Sequence, residues 1–160
     1  MSAASDALAA LDARGWTLGV AESLTGGALC SALVGVPGAS AVLLGGVVAY
    51  ATPVKHTLLG VDAHLLDTHG AVHPEVAAQM ARGVRSAVAI GGRSADVGVS
   101  TTGIAGPDSP DGQPVGTVHI GVATPVVEVS RAFVFTGDRA AIRAQTVDAA
   151  LAILRELVGE

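Results

Sequence analysis

Apolar residues in this chain come in two rhythms, and the alternation between them restricts the fold more than any other feature. Val76, Met80, Val84 and Val88 recur every four positions, with Ala77 and Ala81 beside them. That spacing lines one face of an α-helix. Elsewhere the apolar residues form short continuous runs, at 17–21, 42–50, 96–101, 115–123 and 126–135, as strands buried between two layers do. Helices are expected at 4–13, about 25–34, 53–59, 62–67, from Pro74 to the Gly91-Gly92 pair, and from near Asp138 onward. In the last of these, Ile142, Thr146, Ala149, Ile153 and Leu157 line one face. Pro53 and Pro74 suit first helical turns. The last two strands face each other across Thr124-Pro125 as a hairpin. Helices interleaved with strands, and a hairpin only late in the chain, predict an α/β fold. The expected form is a three-layer α/β/α sandwich with a mixed, mostly parallel sheet, in one domain over residues 1–160.

Composition narrows the function classes. Half of the residues are hydrophobic and 14% are charged, a globular balance. The net charge is −5 and Lys and Arg form no run, which argues against a nucleic-acid partner but leaves room for one small phosphate. Cys30 is the only cysteine, so no intramolecular disulfide and no cysteine-based zinc site is expected, and a cytoplasmic setting is the simplest. The five histidines show neither HxH nor HExxH spacing, so no metal is expected. Residues 1–15 carry Asp6, Asp12 and Arg14, unlike a signal peptide. The uncharged stretch 24–54 is broken by Gly and Pro and reads as core, so no membrane partner is expected.

Four segments could carry chemistry. In Glu22-Ser23-Leu24-Thr25-Gly26-Gly27 a strand ends, a serine follows and two glycines open a helix. This places the Ser23 hydroxyl at the carboxyl edge of a sheet, with helix N–H groups able to hold an oxyanion or a phosphate. Ser23 and Thr25 as helix caps, with Gly26 and Gly27 for packing, is the plainer alternative. The second segment holds Tyr50, the only tyrosine, and Lys55, the only lysine beside eight arginines. Lysine differs from arginine in losing its proton readily when buried, so it can act as a base; a surface lysine and a half-buried tyrosine is the other reading. The third is the long loop after the strand at 96–101, with Thr102, Gly103 and Gly106, either a binding loop or a surface excursion. The fourth is Thr136-Gly137-Asp138-Arg139 with Arg143 beyond it. Arg139 could fork onto a phosphate or carboxylate, or the segment is a capped helix start.

Together these segments resemble the CinA C-terminal family of nicotinamide-nucleotide amidohydrolases. The matching motifs are AESLTGG (21–27), PGAS (37–40), GGVVAY (45–50), Lys55 with the Leu-Leu-Gly-Val ending at Val61, HGAV (69–72), TGIAGP (102–107), PVGTV (114–118) and TGDR (136–139). They stand in the family's order and span nearly the whole chain. The resemblance implies hydrolysis of the carboxamide of nicotinamide mononucleotide, with Ser23 and Lys55 as a catalytic pair and Tyr50 beside them. It implies substrate contacts from Thr102, Gly103 and Arg139, together with Thr25, Gly26 and Gly27 at the turn. No cofactor is implied; the partners implied are a small-molecule nucleotide and further copies of the chain in a homo-oligomer. Leu24 stands where Cys is common, Ala51-Thr52-Pro53 replaces the usual Ser-Asn-x, and His73 replaces Ser. Two other readings stay open: a non-catalytic nucleotide-binding or regulatory module with the same pocket, and a DNA-repair or competence partner suggested by the family's historical naming, against which the acidic charge counts.

Overall fold

The computed structural model describes residues 1–159; the single-domain expectation ends on Glu160, which lies outside them. In chain order the elements are α1 (Ala3–Arg14), β1 (Leu18–Glu22), α2 (Ala28–Val34), β2 (Leu43–Val48), α3 (Thr52–Leu59), α4 (Ala63–His69), α5 (Pro74–Ala87), β3 (Val97–Gly103), β4 (Thr117–Ala123), β5 (Glu128–Val134) and α6 (Arg139–Gly159). The five strands form one sheet in the order β2-β1-β3-β4-β5. β1 runs parallel to both β2 and β3, while β4 is antiparallel to β3 and β5. Four strands therefore point one way and only β4 is reversed, as the alternating pattern and the late hairpin predict.

The two faces of the sheet are built from different residues. Leu18 and Val20 of β1, Val97 and Val99 of β3, and Val118, Ile120 and Val122 of β4 join α1, α2 and α6 in one large core. The opposite face is paved with Gly19, Gly98, Ser100 and Gly121. A Cβ on Gly98 would meet the Ala81 carbonyl, and one on Gly121 would meet the Ala77 carbonyl. The backbone of α5 thus lies directly on the strands. Ser100 ties them together, its hydroxyl donating to the Ala77 carbonyl at 2.6 Å and accepting from the Gly121 N–H at 3.2 Å. A second core of Leu59, Val61, Leu66, Val76, Met80 and Val84 fills the outer side of this layer.

Two boundaries and one buried helix face differ from expectation, each for a local reason. α2 begins at Ala28 rather than near 25, because Gly26 and Gly27 sit at φ 58 and 104, in the left-handed region that a right-handed helix cannot contain. α5 ends at Ala87 rather than at the glycine pair; Ile90 and Arg93 close a separate turn there through reciprocal backbone bonds of 3.0 Å. In α6 the buried face includes Ala150, Leu151, Leu154 and Val158, whereas Ala149 and Leu157 are only half-buried. The helix packs on α1 as well as on β3 and β4, so its buried face is wider than one stripe.

The close seating of α5 predicts that Gly98→Ala destabilises the protein by about 1–3 kcal/mol, as overpacking a dense contact does. The midpoint of urea unfolding should fall while the slope stays unchanged.

Candidate active site

The parallel strands β1, β2 and β3 end side by side, and backbone bonds lock their carboxyl ends together. The Ser23 N–H donates to the Thr101 carbonyl at 3.1 Å, and the Ala49 N–H donates to the Glu22 carbonyl at 2.8 Å. Ser23 leaves β1 at this edge, where α/β sheets gather ligands. Lys55 reaches the same point from the second turn of α3. Its amine lies 3.0 Å from the Ser23 hydroxyl oxygen, 2.7 Å from the Ala49 carbonyl and 3.2 Å from the Tyr50 carbonyl. Pro53 lies in the first turn of α3, where a missing N–H costs the helix nothing.

Lys55 is 1% exposed. Burial penalises the ammonium and lowers its pKa from 10.5 to about 8, so about a tenth of the protein carries a neutral amine at pH 7. A neutral amine has two N–H bonds and one lone pair. The Ala49 and Tyr50 carbonyls accept the two N–H bonds, which leaves the lone pair for the Ser23 hydroxyl proton. The geometry thus presents a base already directed at a hydroxyl.

A cleft of about 350 Å³ opens over this pair, lined by Ser23, Leu24, Tyr50, Lys55, Thr102 and Arg139 among others. Arg139, the first residue of α6, donates to the Gly106 carbonyl from one guanidinium nitrogen and to the Tyr50 hydroxyl, at 3.1 Å, from the other. Tyr50 has two separate duties: its carbonyl holds Lys55, and its exposed ring reaches the cleft mouth to meet Arg139. Thr102 and Gly103 line the cleft wall, with the Thr102 hydroxyl donating to the Ala71 carbonyl at 2.8 Å.

Thr25, Gly26 and Gly27 do not line the cleft. The Thr25 hydroxyl is buried against that of Thr101 at 2.8 Å. The first amides of α2 are already occupied, since the fully buried Glu22 carboxylate accepts from Leu29 N–H and Cys30 N–H at 2.9 Å each. Glu22 is a helix cap supplied from six residues upstream of the first residue of the helix, and it was not singled out from the sequence because no spacing rule marks so remote a cap. The same carboxylate, after burial itself, helps push the Cys30 thiol up to about 12, so Cys30 is no nucleophile at neutral pH. Asp108 and Asp111 also border the cleft. A larger groove of about 490 Å³ beside β2, lined by residues such as Val34, Pro37 and Leu43, contains no titratable side chain. Among the described residues no group of three or more His, Cys, Asp or Glu is placed to hold a metal ion, and no helix is long and apolar enough to cross a membrane.

The CinA C-terminal domain profile matches residues 1–158. The chain belongs to the CinA C-terminal domain family. A CinA-like protein of Frankia casuarinae is 49% identical over 145 residues, covering 91% of this chain and 32% of the relative. A putative competence-damage inducible protein of Desulforamulus reducens is 44% identical over 144 residues, covering 90% and 34%. The chain thus spans about a third of the length of these relatives. Among solved structures, a CinA superfamily protein from Klebsiella pneumoniae superposes with a TM-score of 0.91 at 34% identity, covering 98% of this chain and 96% of that one. The competence/damage inducible protein CihA from Agrobacterium tumefaciens gives 0.90 at 32% identity, covering 99% and 94%.

Two further departures from the CinA motifs have a structural reading. Leu24 is 4% exposed and packs into the larger core. His73 caps α5, its ring Nδ1 accepting from the Glu75 N–H at 3.1 Å, the bond that a serine hydroxyl would otherwise accept.

Two pH effects follow from the lowered Lys55 pKa. If neutral Lys55 is the base, kcat/KM rises about tenfold per pH unit below 8 and levels off above it. Stability changes in the same window. Below about 8 the ammonium is present in folded and unfolded chains alike, and burial destabilises the fold in full. Between 8 and 10.5 the folded protein has lost the proton and the unfolded chain retains it, so the penalty declines. Wild type should therefore gain stability relative to Lys55→Met as pH rises through that interval, measured by parallel chemical denaturation.

Proposed function

We propose that this chain hydrolyses the carboxamide of nicotinamide mononucleotide, giving nicotinic acid mononucleotide and ammonia, as a step in pyridine nucleotide recycling. The observation that carries this reading is the 3.0 Å separation of Ser23 Oγ and Lys55 Nζ at the base of a cleft. Family membership and the order of the motifs along the chain support the choice of substrate.

In this mechanism the Ser23 oxygen attacks the carboxamide carbon while its proton passes to neutral Lys55. The tetrahedral intermediate collapses as Lys55 returns that proton to the departing nitrogen. Ammonia leaves and Ser23 is held as an acyl ester. A water then attacks the ester, giving one proton to Lys55, which passes it to the Ser23 oxygen as the acid product is released. A base positioned in this way contributes about 10²–10⁴ in rate. Arg139 and the Tyr50 hydroxyl stand at the mouth, where the nucleotide's phosphate would lie, and a fork of two N–H donors suits phosphate oxygens. Thr102 and Gly103 form the wall against the ribose and ring. Thr25, Gly26 and Gly27 do not line the cleft, so this turn acts through its backbone.

Ser23→Ala and Lys55→Ala should each lower ammonia release from nicotinamide mononucleotide by about 10⁴-fold or more while leaving the far-UV circular dichroism unchanged. Near-normal turnover in Lys55→Ala would exclude the pair. Saturable nucleotide binding by wild type without any ammonia would instead favour the nucleotide-binding or regulatory module.

A further inference from the structure

The Ser23 turn is gripped from outside by Arg143. From the second turn of α6, its Nε donates to the Leu24 carbonyl at 2.9 Å and one terminal nitrogen donates to the Thr25 carbonyl at 3.0 Å. These are the carbonyls of the two residues immediately after Ser23. The guanidinium makes no ion pair among the described residues, so its charge acts on those carbonyls undivided.

In a trans peptide the C=O and the next residue's N–H point in opposite directions. Fixing a carbonyl therefore aims an amide. Arg143 on the Leu24 carbonyl turns the Thr25 N–H to the far side of that peptide. Arg143 on the Thr25 carbonyl polarises the Gly26 N–H, which donates to the Ser23 carbonyl at 3.1 Å. That bond in turn fixes the Ser23–Leu24 peptide and so directs the Leu24 N–H. Neither the Leu24 nor the Thr25 N–H has an acceptor among the described residues. The α2 amides, by contrast, are occupied by Glu22. The Leu24 and Thr25 amides are thus the two unpaired donors nearest Ser23 along the chain, and Arg143 orients both.

We propose that Arg143 is a positioning residue for catalysis, holding the Leu24 and Thr25 amides in place as the donors that stabilise the oxyanion formed at Ser23. This rests on the Ser23–Lys55 reading above. Arg143 itself never touches substrate. Its neighbour one turn earlier, Arg139, faces the cleft mouth instead, so the two arginines separate binding from transition-state stabilisation.

The test compares wild type with Arg143→Lys, Arg143→Met and Arg143→Ala. Lysine keeps the charge but cannot fork onto two carbonyls. The expected result is a fall in kcat of about tenfold for Arg143→Lys and about 10²-fold for Arg143→Met, with KM within about twofold, since only the transition state uses these amides. Added guanidinium ion, at millimolar concentration, should restore part of the Arg143→Ala rate. A second readout is phosphonylation of Ser23 by a fluorophosphonate, in which the serine oxygen bonds to phosphorus, fluoride leaves and the proton goes to Lys55. It should slow in step with kcat. Where Arg143→Met does not fold, Arg143→Lys and the fluorophosphonate rate carry the comparison. Wild type that turns over or labels normally, with Arg143 variants equally fast, overturns the proposal alone. So does a loss shared equally by kcat and nucleotide binding, or one that guanidinium does not relieve. Wild type that neither releases ammonia nor labels at Ser23 overturns the Ser23–Lys55 reading, and this one with it.

Discussion

A primary amine held out of water is the constraint from which the rest of this site follows. Lys55 is costly to bury charged, and the fold retains it by offering three polar contacts at the ends of two strands. Two of those contacts are backbone carbonyls, from Ala49 and Tyr50. Carbonyls accept from both the charged and the neutral amine, so they orient Lys55 without stabilising the ammonium as a carboxylate would. A carboxylate at the same place would raise the pKa and remove the base. Desolvation is the cause of the shift, and it operates only while nothing negative intrudes. Glu22, the adjacent buried acid, meets this condition by directing its carboxylate to the α2 amides.

That arrangement depends in turn on the thinness of the α5 face. With glycine at 98 and 121, the backbone of α5 sits on the sheet, and its leading segment comes down over the end of β3, where the Thr102 hydroxyl meets the Ala71 carbonyl. The cleft is therefore walled on one side by the loop before α5 and on the other by the turn after β2. A bulkier pavement would raise α5, widen the wall and admit water to Lys55. The small residues of this face serve the electrostatics of the site as much as the packing of the core.

Much of this was legible in the sequence because it was written in period and punctuation. The stripe of Val76, Met80 and Val84, the apolar runs and the prolines at helix starts placed every strand and α-helix to within a few residues. The singular occurrence of Lys55, together with motif order, marked the residue that the fold buries beside Ser23. What could not be read was whatever depends on distant pairing. Glu22 caps a helix that starts six residues later, Arg143 acts on carbonyls 118 and 119 positions away, and Asp108 borders the cleft only because its loop folds back. The glycines at 26 and 27 were read as helix start and are instead the left-handed turn before it. The first amides of that helix go to the Glu22 carboxylate. Local pattern encodes elements; the assignment of donors to acceptors within the site requires the third dimension.

The two arginines of α6 link these levels. A helix that packs along α1 and beneath β3 and β4 has its register fixed by core residues such as Ile142 and Thr146. Arg139 and Arg143 lie on the same helix four residues apart, so the core that sets Ile142 also sets where both guanidinium groups arrive, one at the Tyr50 hydroxyl and one at the Ser23 turn. A shift of α6 by a fraction of a turn would disturb the mouth and the turn together. The largest core of the molecule and the contacts at its cleft therefore answer to the same helix, and changes in packing on α6, far from Ser23, move both guanidinium groups.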